Sequence, residues 1–124
     1  MGGEKIRGFR VQHSISNGDC SQILTILKKK PIAVAISASF DMAFYSEGTF
    51  SGNGYVLNHG VVLVGYHYNH GFFIKNSWGI YWGYGGYGWV DLDNNAGICE
   101  YAVNLITTYE ARSNSPHHCP VCDD

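Results

Sequence analysis

Asn58-His59-Gly60-Val61-Val62-Leu63-Val64-Gly65-Tyr66, followed by Lys75-Asn76-Ser77-Trp78-Gly79 and then by Trp82-Gly83 and Gly86-Tyr87, is the stretch on which the reading of this chain turns. Apolar residues run from Val61 to Val64, a loop Tyr66 to Gly71 follows, and a second apolar run, Phe72-Phe73-Ile74, ends at Lys75-Asn76. Two short β-type runs around a glycine-containing polar loop predict a hairpin. The midpoint between His59 and Asn76 falls between His67 and Tyr68, so antiparallel pairing about that point sets the two side chains opposite each other at the hairpin's open end.

A histidine that acts as a base, or as the cationic half of an ion pair, needs its ring orientation and tautomer fixed. An asparagine oxygen that accepts from a ring N–H does this without adding charge. That is the logic of Cys-His-Asn sites, in which an imidazolium stabilises a thiolate. Trp78, two residues beyond Asn76, is placed to lie over the histidine-asparagine hydrogen bond and keep water from competing with it. A lone histidine ahead of a strand is by default a core or surface residue; Asn76 and Trp78 are what make His59 a catalytic candidate. His13, His67 and His70 lack that company and read as loop residues.

The pattern from Asn58-His59-Gly60-Val61 through Lys75-Asn76-Ser77-Trp78-Gly79, Trp82-Gly83 and Gly86-Tyr87 resembles the C-terminal half of the papain-like cysteine proteases, the group of papain and cathepsins L and F. The likeness extends more loosely from Lys5 to Ile106. It implies His59 as catalytic histidine, Asn76 as its orienting partner and Trp78 as the shield. It further implies that Ala35 and Leu57 wall the pocket for the side chain two residues before the scissile bond, that the Asn58 backbone lies along the cleft, and that Asn104 is at the pocket floor. The fold so implied is mainly β: an antiparallel barrel-like sheet with short helices, the family's right-hand domain. The implied activity is that of a cysteine-type endopeptidase acting on peptide or protein substrates, in a lysosomal, vacuolar or extracellular setting, without cofactor or metal.

The nucleophile of that family has no match. No Gln-x-x-x-x-x-Cys-Trp segment occurs, and none of Cys20, Cys99, Cys119 and Cys122 stands in such a context. The chain is therefore expected to form one wall of an active site, to depend on a left-hand domain or chain for the catalytic cysteine, and to be inactive alone. A half-domain serving as a binding or structural module, and a truncated product, are the competing readings. Cys99 matches a family position whose disulfide partner lies a few residues before the histidine, yet Ser51 to Leu57 holds no cysteine. Cys99 is then free or bonded elsewhere, with Cys20 one candidate.

The rest of the sequence is organised around this half-site. The 124 residues, 45% of them hydrophobic, suit one domain over residues 1–110. A net charge of −2 gives no footprint for nucleic acid, and no apolar run reaches the ~20 residues that span a bilayer, so neither nucleic acid nor membrane is an expected partner. Lys5 to Gln12 alternates as a strand, and Ser14 to Gly18 reads as a turn. Cys20, Ile23, Leu24 and Leu27 mark one buried face of a short helix; Lys28, Lys29 and Lys30 suit its C-terminal dipole, and Pro31 stops it. Ile32 to Ala38 reads as a buried strand, Phe40 to Phe50 as a helical turn with packed aromatics, Ser51 to Gly54 as a loop, and Gly86 to Leu92 and Tyr101 to Thr107 as further strands. Residues 111–124 form a polar tail, where His117, His118, Cys119 and Cys122 are too crowded for a closed zinc site; a disulfide, within or between chains, or a free Cys-x-x-Cys suits them better.

Overall fold

The computed structural model describes residues 9–15, 20–54 and 56–107; the tail and Lys5 to Gly8 lie outside the described residues. In chain order the elements are β1 (Phe9–Ile15), α1 (Cys20–Leu27), β2 (Ile32–Ile36), a 3-10 turn (Phe40–Phe44), β3 (Thr49–Gly52), β4 (His59–His67), β5 (Gly71–Lys75), β6 (Tyr87–Asn95) and β7 (Ala102–Thr107). One sheet takes all the strands in the order β1-β7-β2-β4-β5-β6-β3. Its pairs are antiparallel except β3 with β6, which run parallel, and the pairing stays open between the β1 and β3 edges. The protein is thus mainly β with few, short helices, as expected. The parallel edge strand β3 falls partly in the stretch read as loop.

The central hairpin forms where the apolar runs place it, but in a different register. His67 pairs with Gly71, so the turn is confined to residues 68–70, and the register slips once at Val64. Gly71 sits at φ 108°, and a Cβ there would run into the Val90 carbonyl, which is why glycine closes this turn. Toward the open end Val62 faces Lys75. Continued along the strands, that register sets Trp78 beside His59 and Asn76 beside Val61. Histidine and asparagine meet on the diagonal, not directly across as the symmetric hairpin predicts.

Strand β2 is buried on one face only. Ile32, Val34 and Ile36 are buried and pair with Leu63, Val61 and His59, whereas Ala33 and Ala35 look outward with Val62 and Gly60. The nearly continuous apolar run of β2 hides this alternation because its outward residues are alanines. The inward set joins Ile23 and Leu27 of α1 with Met42, Phe72, Ile74, Val90 and Ile98 in one core. Burying each such side chain contributes about 1.5–3 kcal/mol.

Two devices tie the periphery to this core. Cys20 at the start of α1 is disulfide-bonded to Cys99, just before β7, with a Cα separation of 5.1 Å. Tyr45 is the other: its ring packs on Trp82, its hydroxyl donates to the Gly48 carbonyl at 2.5 Å, and it accepts from the Trp89 N–H at 3.0 Å. Burial raises the Tyr45 pKa, the Trp89 hydrogen bond opposes that, and Tyr84 adds to it. The raised value means that this residue's contribution is complete below pH ~10 and is lost as pH rises through the folded value. Tyr45→Phe leaves both backbone groups without their partner and should cost about 1–3 kcal/mol in urea unfolding. Unlike Tyr45, Phe40 and Phe44 do not pack into the core as expected: they are 85% and 72% exposed, touching each other edge to face.

Candidate active site

His59 opens β4 and is held from both sides. It pairs with Ile36, and the preceding Asn58 clamps the chain beyond β2, its Oδ1 accepting from the Ala38 N–H at 2.8 Å and its Nδ2 donating to the Ala38 carbonyl at 3.2 Å. Asn76 follows β5, and its backbone N–H donates to the Gly86 carbonyl at 2.9 Å. The glycine-rich stretch after Trp78 thereby supports the asparagine.

The two side chains are joined by a 2.8 Å contact between His59 Nε2 and Asn76 Oδ1. Asn76 Oδ1 also accepts from the Ser77 N–H at 2.8 Å. A backbone N–H can only donate, so this second bond fixes the amide orientation and makes His59 Nε2 the donor. In the neutral ring Nδ1 then carries the lone pair, and in the imidazolium it carries the second proton. Asn76 Nδ2 is buried with no partner among the described residues, at a cost of about 1–3 kcal/mol. Orientation of the ring is kept at some expense of stability, as functional sites often require.

Trp78 stacks on the His59 ring, with centroids 4.8 Å apart and planes at 20°. Trp82 meets Trp78 edge to face at 5.8 Å, and its Nε1 donates to the Met42 carbonyl at 2.9 Å, fixing the stack to the core. The structure thus brings His59, Asn76 and Trp78 together as the sequence implies. What the sequence did not disclose is the Asn58 clamp, a contact across 20 positions of sequence.

The residues implied to touch substrate are not all neighbours. Ala35 is half-buried on the outward face, opposite Gly60. Leu57 is exposed beside Gly97 and lines a cleft. Asn104 is buried and shares the inward face of β7 with Ala102, which pairs with Val34. Both described cysteines are in the disulfide, and the described residues hold no cluster of three or more metal-ligating side chains. The site can orient and exchange a proton at His59 Nδ1; it offers no described nucleophile.

The comparisons with known proteins agree with this geometry. The profile of the papain family cysteine protease matches residues 4–108. The KDEL-tailed cysteine endopeptidase CEP2 of Arabidopsis thaliana is 38% identical over 109 residues, which are 82% of this chain and 30% of that protein. Macrodontain-1 of Ananas macrodontes is 34% identical over 96 residues, 74% of this chain and 45% of its own. The Carica candamarcensis cysteine protease CMS1MS2, solved with E-64, superposes with a TM-score of 0.67 at 25% identity, covering 84% of this chain and 49% of that one. The chain therefore spans at most about half the length of these relatives. With its profile match, its relatives and its fold in agreement, the chain belongs to the papain family of cysteine proteases and represents the C-terminal part of the protease domain.

Proposed function

We propose that this chain supplies the histidine-asparagine wall of a cysteine endopeptidase whose thiolate comes from a left-hand half. The observation that carries this reading is the one-sided use of His59: Nε2 is committed to Asn76, while Nδ1 has no hydrogen bond among the described residues. A cysteine facing Nδ1 would give up its proton to the ring, forming the thiolate-imidazolium pair. The thiolate attacks the peptide carbonyl, Nδ1–H protonates the departing amine, and the acyl group stays on sulfur as a thioester. Nδ1 next takes a proton from water as its oxygen attacks the thioester; the acid and the thiol then leave. Asn76 positions the ring throughout, and Trp78 keeps water from their hydrogen bond. Ala35, Leu57 and the Asn58 backbone border the substrate, a peptide or protein.

The outward face of β2, β4 and β5 is the seat we propose for the missing half. Ala33, Gly60, Val62 and Lys75 are exposed there, Gly60 directly following His59 in β4, and the small Ala33 and Gly60 let another element approach closely. The Cys20–Cys99 disulfide fits an oxidising compartment, lysosomal, vacuolar or extracellular. Co-refolding with the cysteine-bearing N-terminal half of a papain-family protease tests the reading. Hydrolysis of a fluorogenic peptide by the mixture, and by neither half alone, is the expected result. A folded one-to-one complex without hydrolysis would sink it.

A further inference from the structure

The segment from Ala96 to Tyr101, between β6 and β7, holds the end of β2 that lies beside the histidine. The Ala96 carbonyl accepts from the Ser37 N–H at 2.6 Å, and the Tyr101 carbonyl accepts from the Ala35 N–H at 3.0 Å. Ile36, between those two donors, turns its backbone to the opposite side: it pairs with His59, and its carbonyl accepts from the Asn58 N–H at 2.9 Å. Successive residues at the end of β2 thus bond alternately to this segment and to the strand that carries His59, as in any strand shared by two neighbours. The segment itself is strained. Ala96 sits at φ 55°, where a residue other than glycine is disfavoured, and Gly97 follows at φ 80°. Cys99 pins it to α1 through the bond to Cys20.

Two observations bear on how that bond can open. Cys20 is partly exposed whereas Cys99 is buried, so Cys20 is the side open to an incoming thiolate and Cys99 is the leaving group. Asn95 Nδ2 lies 3.9 Å from both sulfurs, a donor placed to bond the thiolate as it leaves. We infer that the Cys20–Cys99 disulfide is a redox-sensitive positioning device for His59. A dithiol supplies the two electrons. Its first thiolate forms a mixed disulfide at Cys20, its second displaces Cys20 and closes the reagent into a disulfide, and its two protons end on Cys20 and Cys99. Once the link is gone the strained turn at Ala96 relaxes, Ala35 and Ser37 lose their acceptors, and the Ile36 register that places His59 is released. The consequence for catalysis rests on the proposed function. The thiol of the left-hand half has to be reduced while this pair stays oxidised, so activity is confined to a window of thiol potential.

The test uses the full chain, labelled with ¹⁵N and carrying Cys119→Ser and Cys122→Ser so that only this pair reacts. Spectra are compared before and after dithiothreitol, with alkylation and peptide mapping to show that both thiols are free. The His59 Nε2–H signal, held by Asn76, is expected in the oxidised chain and lost on reduction, with the Ser37 and His59 amides shifted and the Phe72 and Ile74 amides in place. Reoxidation should restore it. An unchanged Nε2–H signal with both thiols free would overturn the inference. Loss of the Phe72 and Ile74 signals as well would also overturn it, since the bond would then brace the whole fold. In the co-refolded complex, hydrolysis should rise with dithiothreitol as the nucleophile is freed, then fall at least about tenfold once Cys20 and Cys99 are reduced. A plateau in place of that fall would count against the inference. Absence of hydrolysis at every concentration would count against the peptidase reading alone, because the ring signal of the isolated chain judges the coupling separately.

Discussion

In a complex completed by a cysteine-bearing half, His59→Ala is expected to lower kcat/KM for a fluorogenic peptide by at least about 10³-fold. Positioned proton transfer alone contributes about 10²–10⁴, and the same substitution removes the cation that holds the thiolate. Asn76→Ala should cost less, about 10²-fold, which is the scale of a misplaced catalytic group, because Trp78 still stacks on the ring and Ile36 still pairs with its backbone. The order of the two effects is diagnostic. If Asn76→Ala proved as damaging as His59→Ala, the asparagine would be doing more than orienting. If His59→Ala left the rate unchanged, proton transfer would lie elsewhere.

Loss of the Cys20–Cys99 disulfide should be the largest single stability effect. The bond closes a loop with a sequence separation of 79, for which the chain-entropy estimate is about 4.5 kcal/mol. Domains of this kind have only about 5–15 kcal/mol in total, so the double substitution Cys20→Ser/Cys99→Ser should move the chain toward the unfolded state under mild denaturant. Guanidinium unfolding of the variant against the unmodified chain measures it. A change below about 1 kcal/mol would mean that α1 and the segment before β7 are held by packing instead. The bond gives Cys99 a partner that the stretch Ser51 to Leu57, which holds no cysteine, does not supply.

What the sequence could disclose followed locality. The helix at Cys20–Leu27 is legible from its spacing and from Pro31, and the strands from their apolar runs, because those signals act within a few residues. His59, Asn76 and Trp78 were legible as a set because the residue types and their spacing carry the chemistry. Register was not: the slip at Val64 and the short turn at residues 68–70 leave no mark on composition, and they decide that the histidine and asparagine meet diagonally. Nor could alternation along β2 be read when Ala33 and Ala35 are as apolar as their buried neighbours. The parallel pairing of β3 with β6 joins residues 40 apart at Thr49 and Trp89, beyond any local pattern.

The most direct measurement is intact mass spectrometry of the native species, gently purified and treated with an epoxide label for activated thiols. The account predicts that the label is carried either by a second chain that co-purifies with this one or by a longer polypeptide containing its sequence, and that His59→Ala abolishes the labelling. Recovery of this chain alone, folded, monomeric and unlabelled, would contradict the peptidase account and leave the His59 face as the surface of a binding module.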